Sequence, residues 1–313
     1  MEDKSQLSNQ PSTLSLTGKT ILVTGGTGGI GEVTARELAR QGAEVIIVGR
    51  NLERTQAALQ RIRTALQSPP NVGEKDQQAI VEDPGQVDYL LADLSDLSQV
   101  RHLAGEYQQR YDRLDVLINN AGGYFSNRHT TVDGYELTFA LNHLSYFLLT
   151  QELLPILEAS ANGASARVVN VSSNAHHGAT LDFDDLQLEH GFNGWRAYSS
   201  SKLANILFTT ELARRLAGKP VTANVLHPGF VATNFAKNNG LLYRLAMPIA
   251  HLFALSPEQG ARTSVYLAAS AEVSQVSGVY FEKERPARTS EAARDTETAR
   301  RLWEISAEMV DKN

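Results

Sequence analysis

The chain has 313 residues, 42% apolar and 20% charged, enough for one large globular domain with a complete core. A formal net charge of −6 offers no basic surface for nucleic acid, and the absence of cysteine excludes disulfides, thiolate metal sites and a cysteine nucleophile. The cysteine-free composition fits a reducing compartment, and a cytoplasmic location is expected.

Residues 1–16 are polar, with Glu2, Asp3, Lys4, Asn9 and Gln10 and no apolar stretch of the kind a secretory signal needs. A disordered tail is expected there. No run of about eighteen apolar residues occurs anywhere, so no spanning helix is expected.

From residue 17 onward, apolar β-branched runs alternate with helical patterns. Strands are predicted at Thr20–Thr24, Glu44–Val48, Val87–Leu91, Leu114–Ile118, Arg167–Val171, Val221–Leu226 and Val279–Phe281. Helices are predicted at Ile30–Gln41, Leu52–Leu66, Leu97–Tyr111, Gly134–Leu157, Trp195–Leu216 and Pro257–Ala269, with one more over Ser290–Val310 that offers Trp303 and Ile305 for packing. The strands are mostly continuous apolar runs, as strands buried on both faces are. Strand–helix alternation over the whole length predicts an α/β fold with a doubly wound parallel sheet of Rossmann type, in a single domain over 17–313. Residues 68–86 contain Pro69, Pro70, Gly73, Pro84 and Gly85 among many charges, and are expected to form a mobile surface insertion.

The first strand runs into Thr24-Gly25-Gly26-Thr27-Gly28-Gly29-Ile30-Gly31, with glycines spaced G-x-x-x-G-x-G. Backbone freedom at Gly25 allows the chain to reverse, a side chain at Gly29 would block a pyrophosphate, and Gly31 permits close helix–strand packing. The positive end of the next helix, opening at Ile30, would then face the phosphates. A glycine-rich turn without a ligand is the alternative. The second strand ends in Gly49-Arg50-Asn51 rather than in an acidic residue. A guanidinium at Arg50, with the Thr27 hydroxyl, suits a 2′-phosphate and favours NADP(H); otherwise Arg50 is a solvated arginine at a helix start. Asp93, before Leu94, either accepts from an adenine amino group or caps the helix beginning near Asp96. Asn119-Asn120-Ala121-Gly122 ends the fourth strand at the carboxyl edge, where small residues let the backbone approach a cofactor. Asn120 can equally stabilise a turn.

Tyr198 and Lys202, four positions apart, share a helix face. A tyrosine ordinarily titrates near about 10, and an adjacent ammonium is expected to lower that value toward general acid–base use. Lys202 can also reach ribose hydroxyls. Ser172 and Ser173 follow the fifth strand, where a hydroxyl can hold a substrate carbonyl oxygen. Asn142 lies within an apolar helix and either holds a water that connects Lys202 to solvent or is a satisfied core asparagine. His176 and His177 are adjacent, lack metal-ligand spacing and read as loop residues, near a substrate mouth at most. His227-Pro228-Gly229 reads first as a turn; it could shape the nicotinamide end together with Val231 and with Thr233 as a donor to the carboxamide.

Together, Thr24–Gly31, Asn119–Gly122, Ser173, Tyr198–Lys202 and His227-Pro228-Gly229 resemble the short-chain dehydrogenase/reductase superfamily, over roughly Gly18 to the C-terminus. The glycine spacing resembles its short oxidoreductase branch. The runs Tyr198–Phe208 and Ala299–Trp303, and the long Asn174–Arg196 loop, resemble the retinol dehydrogenase group. The resemblance implies that Ser173 polarises a carbonyl, Tyr198 gives or takes the proton, Lys202 tunes Tyr198 and binds ribose, and Asn142 supports a proton relay. It also implies a homodimer or homotetramer built through the helices carrying Asn142 and Tyr198.

A substrate lid is expected over 230–256, where Leu241, Leu245, Ile249 and Leu252 recur at helical spacing. Three readings stand: a helix packed on its own core, an apolar lid over a lipophilic carbonyl, or an amphipathic surface that touches membranes beside Lys237 and Arg244. The expected function is NADPH-dependent reduction of a lipophilic, retinal-like aldehyde or ketone, or the reverse oxidation. The alternative is a catalytically silent nucleotide-sensing or scaffold protein of the same fold.

Overall fold

The central parallel strands at Thr20–Thr24, Val116–Asn119 and Val221–His227 are buried on both faces, because helices return over both sides of the sheet, while the edge strand at Val87–Leu91 is half-buried. The computed structural model describes residues 15–67, 84–161, 163–230 and 255–312. Of the expected tail, insertion and lid, residues 1–14, 68–83 and 231–254, including Val231 and Thr233, lie outside them.

The elements are β1 (Thr20–Thr24), α1 (Gly29–Arg40), β2 (Glu44–Gly49), α2 (Leu52–Gln67), β3 (Val87–Leu91), α3 (Leu97–Arg110) and β4 (Val116–Asn119). A short α4 (Leu137–Phe139) continues through a π-helical turn, Ala140–Leu144, into α5 (Ser145–Ser160). Then come β5 (Ala166–Val171), α6 (Gly194–Arg215), β6 (Val221–His227), α7 (Pro257–Ala269), β7 (Tyr280–Glu282), β8 (Arg285–Pro286) and α8 (Thr296–Asp311). The sheet order is β3-β2-β1-β4-β5-β6-β7-β8; β1 to β7 pair in parallel and β8 is antiparallel to β7. The order reverses between β1 and β4, so the carboxyl ends of these two strands flank the crevice where such sheets bind ligands.

Alternation along β1 sends Leu22 to one core with α3, α5, α6 and α8, and Ile21 and Val23 to the other with α1, α2 and α7. All seven predicted strands form, within two residues at each end. The helix expected from Gly134 begins instead at Leu137, because Gly134 adopts φ 85° in a turn and the buried Glu136 carboxylate caps the amides of Thr138 and Phe139. The hairpin to β8 was not foreseen: Lys283 and Glu284 both adopt positive φ in the two-residue turn, and Glu284 is held by Arg262 at 3.0 Å.

The last helix covers a face for which the resemblance implied a second subunit. Trp303 packs on Phe147 of α5 at 4.9 Å and Phe208 of α6 at 5.8 Å, and the guanidinium of Arg215 lies over its ring at 4.4 Å. Ser306 bonds His143 in the π-helical turn, and Arg101 and Tyr135 bond the carbonyls of Val310 and Met309. Among the described residues no helix is long and apolar enough to cross a membrane.

Candidate active site

The site begins where β1 stops. Gly25 turns the chain with φ 66° and donates to the Val48 carbonyl at 3.0 Å; a Cβ there would lie 2.9 Å from the Ala121 backbone. At Gly31 a Cβ would collide with the Gly25 carbonyl oxygen and the Asn120 amide, so α1 can approach β1 only with glycine there. Gly29, also at positive φ, is the first residue of α1, which starts at Gly28 without a side-chain cap. Helices α3, α6, α7 and α8 start instead on the caps Asp96, Asn193, Ser256 and Asp295. Uncapped amides at the positive end of a helix, on a turn where Gly25, Gly26 and Gly31 leave no room for a side chain, fit a dinucleotide pyrophosphate.

Asn120 serves the turn. Its amide donates to the Thr24 carbonyl at 2.8 Å, and the Thr24 hydroxyl accepts from the backbone amides of Asn120 and Ala121. The ends of β1 and β4 are thereby clasped, with Gly122 beyond them. At the end of β2, the Thr27 methyl lies over Gly49, which brings Thr27 beside Arg50. Arg50, 70% exposed, pairs with Asp93 at 3.2 Å. Asp93 also accepts from the amide and hydroxyl of Ser95, while Asp96 provides the cap of α3. The capping alternative for Asp93 is thus settled in favour of Asp96. Burial opposes ionisation of Asp93, but the Ser95 bonds and the Arg50 charge outweigh it and hold its carboxyl below the usual range.

The side chains expected to carry the chemistry meet at the ends of β4, β5 and β6. Asn193 caps α6 and sets its first turn, so that Tyr198 and Lys202 both face the sheet and are almost fully buried. The Tyr198 hydroxyl shares a hydrogen bond with Ser173. Ser172 instead points into the fold and donates to the Lys202 carbonyl at 2.6 Å, which separates the roles of the two serines. The Lys202 ammonium donates to the Val171 carbonyl at 3.1 Å and sits 5.7 Å above the Tyr198 ring. Among the protein's own groups the expected lowering of Tyr198 does not occur. Burial pushes Tyr198 up to about 12, with the Ser173 bond opposing it, and burial pushes Lys202 down to about 7. Desolvation disfavours both charged forms and outweighs their mutual support at this separation.

Asn142 occupies the π-helical turn, a distortion often found at functional sites. Its carboxamide donates to the Gly123 carbonyl and the Ser201 hydroxyl and accepts from the Gly123 amide, which leaves one acceptor site on Oδ1. Both the core role and the water-holding role are compatible with that geometry. It also places Asn142 beside the lysine: a Cβ at Gly122 would lie 3.0 Å from Asn142 Oδ1 and 3.5 Å from Lys202 Nζ. Asn205, which the sequence did not single out, donates to the backbone carbonyl of Asn142 at 2.9 Å.

His227 is the last residue of β6 rather than part of a turn, and burial pushes its imidazole down to about 4. Pro228 and Gly229, with φ 87° at the glycine, lead away from it, and the Leu255 amide returns to the Phe230 carbonyl at 2.7 Å. Two aromatic rings stand around Tyr198, Tyr124 edge-on at 6.1 Å and Trp195 at 6.1 Å. Trp195 is 59% exposed, unusual for so large an apolar group. Nothing in the sequence pattern distinguished these two aromatics from core residues.

A parallel sheet reversing between β1 and β4, a glycine turn under an uncapped helix, and a buried Ser–Tyr–Lys set define a nicotinamide-dependent oxidoreductase architecture. The family profile of the short chain dehydrogenases matches residues 19–78 and 67–241, and the chain belongs to that family. Within it the chain is retinol dehydrogenase-like. It is 43% identical to human (Homo sapiens) retinol dehydrogenase 14 over 94% of this chain and 86% of that protein, and 40% identical to human retinol dehydrogenase 13 over 96% and 87%. Among solved structures it is similar to an uncharacterised protein from Mycobacterium paratuberculosis, with TM-score 0.73, 34% identity and 96% of each chain covered. It is also similar to the Pseudomonas aeruginosa RhlG/NADP complex, with TM-score 0.64, 28% identity, and 87% of this chain and 96% of that one covered.

Proposed function

We propose that this chain is an NADPH-dependent carbonyl reductase, working reversibly on a lipophilic aldehyde or ketone. The observation that carries the reading is the convergence of Ser173, Tyr198 and Lys202 at the sheet edge next to the glycine turn. Bound nicotinamide supplies the hydride. The glycine turn and the amides opening α1, from Gly29 through Ile30, hold the pyrophosphate; the segment around Asn120, Ala121 and Gly122 lies along the cofactor. Arg50 and Thr27 take the 2′-phosphate, for which a planar fork of donors at the end of β2 is suited. Asp93 and Leu94 border the adenine, and Pro228 and Gly229 the nicotinamide end.

Ser173 donates to the carbonyl oxygen and holds it where negative charge develops. Tyr198 gives that oxygen its proton. Lys202 binds ribose and supports the tyrosinate that forms, and Asn142 braces the segment between them. The exposed Trp195 and the half-buried Tyr124 beside Tyr198 support an apolar substrate, as does the likeness to the retinol dehydrogenases.

The test is to follow nicotinamide absorbance with NADPH and with NADH against retinal, long-chain aldehydes, aromatic aldehydes and steroid ketones. Turnover with NADPH that favours the long apolar aldehydes is expected. Preference for NADH removes the Arg50 assignment, and no turnover with either cofactor overturns the reading.

A further inference from the structure

The loop after Ser173 forms one tight turn, Asn174–His176, clamped from the far end of the sequence. Tyr280 of β7 donates its hydroxyl to Asn174 Oδ1 at 2.9 Å. The Ser290 backbone amide, beyond β8, approaches His176 Nε2 at 3.3 Å, and His176 Nδ1 lies 2.7 Å from the Ser173 carbonyl oxygen. His176 has no exposed surface, with its ring against Tyr280 at 5.2 Å and His177 at 4.0 Å.

These partners fix the proton. An amide N–H can only donate, so Nε2 accepts from Ser290 and carries no hydrogen. Nδ1 must then carry it and donate to the Ser173 carbonyl. A second proton on Nε2 would face the Ser290 N–H, and burial also lowers the affinity of the ring for it. The same serine is held at its other end, where its hydroxyl oxygen accepts from the Ala175 amide at 3.2 Å. With one lone pair so engaged, the other lone pair and the hydroxyl proton remain for the Tyr198 side.

We infer that His176, in its Nδ1–H form, is a positioning residue that fixes the peptide of Ser173 and so aims the Ser173 hydroxyl, coupling the site to the segment around Ser290. This rests on the role proposed above for Ser173. An ordinary core histidine would only fill space, and an apolar side chain of similar size would replace it. A positioning histidine is replaced only by a side chain that keeps the donor. Asparagine places an amide donor close to where Nδ1 stands, and leucine does not.

The variants His176→Leu and His176→Asn are therefore compared for kcat, KM for carbonyl, NADPH affinity and melting temperature. His176→Leu is expected to lower kcat by about 30- to 100-fold, the scale of a small misplacement of a reacting group, with NADPH affinity nearly unchanged. His176→Asn is expected to recover about 10-fold of that loss. Wild-type kcat in His176→Leu, or equal loss in the two variants, overturns the inference. Should the leucine variant fail to fold, nitrogen-15 spectra of wild-type protein with NADPH at pH 7 decide instead. The Nδ1–H tautomer is expected for His176, and the Nε2–H tautomer or an imidazolium overturns it. The underlying reading fails separately: if Tyr198→Phe stays active the site assignment is wrong, whereas an inactive Tyr198→Phe beside a fully active His176→Leu sinks only the role of His176.

Discussion

Arg50 and Asp93 face each other across the ends of β2 and β3, with guanidinium and carboxylate 3.2 Å apart. Two groups assigned to the adenosine half of the cofactor thus hold one another. With Arg50 so exposed, the pair contributes less than about 1 kcal/mol and yields readily to a stronger anion. A 2′-phosphate offers more charge and bidentate geometry. Arg50→Ala is expected to weaken NADPH binding by about 10- to 100-fold while leaving NADH binding within about 2-fold. Fluorescence titration with both cofactors checks this; equal loss for the two contradicts the assignment.

Lys202 sets a pH limit. Burial brings it down to about 7, so the ammonium that supports a developing tyrosinate is lost as pH rises through neutrality. Carbonyl reduction is expected to be flat on the acid side and to fall on the alkaline side, with an apparent value belonging to the Tyr198–Lys202 pair. Lys202→Met should lose this limb together with about 100-fold or more in kcat/KM. A pH profile of kcat/KM from about 5.5 to 9.5 tests it, and a reduction rate that climbs with pH would be the wrong sign.

Stability has an acid limb of its own. Burial pushes both His143 and His227 down to about 4, far below an unfolded histidine. Between those values the unfolded chain binds protons that the folded chain does not, so stability falls as pH drops through that window. At about pH 5 the loss is about 2 kcal/mol for each histidine, before carboxylates contribute. Denaturant unfolding at pH 7 and pH 5 should show it, and His143→Gln should show a smaller drop than wild type. An equal drop in the two proteins would contradict the assignment.

Trp303 ties α8 to the core, buried against Phe147, Phe208 and Arg215. Trp303→Ala leaves a cavity between three helices and is expected to cost about 3–5 kcal/mol. The urea midpoint reads this out. A loss under about 1 kcal/mol would mean that α8 is not part of the core.

The strands and the glycine turn were legible because burial on both faces writes itself as continuous β-branched runs, and because a pyrophosphate turn requires glycine at Gly25 and Gly31. Spacing put Tyr198 and Lys202 on one helix face, but their role was legible only beside the glycine turn and through the family resemblance. The hairpin to β8 was not, since a strand of two residues has no period, and neither was the π-helical turn at Asn142, because the segment from Ala140 to Thr150 is buried nearly all round and has no single apolar stripe to show a shift in phase. Spacing also missed His176, because its partners Ser173 and Ser290 are brought together only by the sheet. The expected direction for Tyr198 failed for a physical reason: adjacency to Lys202 is visible in sequence, and the desolvation that outweighs it is not.

The central claim is most directly tested by Tyr198→Phe, which removes one oxygen from a site otherwise unchanged. NADPH affinity is measured by fluorescence titration and turnover of an apolar aldehyde by nicotinamide absorbance. The account predicts NADPH binding within about 3-fold of wild type and a fall in kcat of at least about 1000-fold, since both proton transfer and the bond with Ser173 are lost. Turnover within about 10-fold of wild type would contradict it.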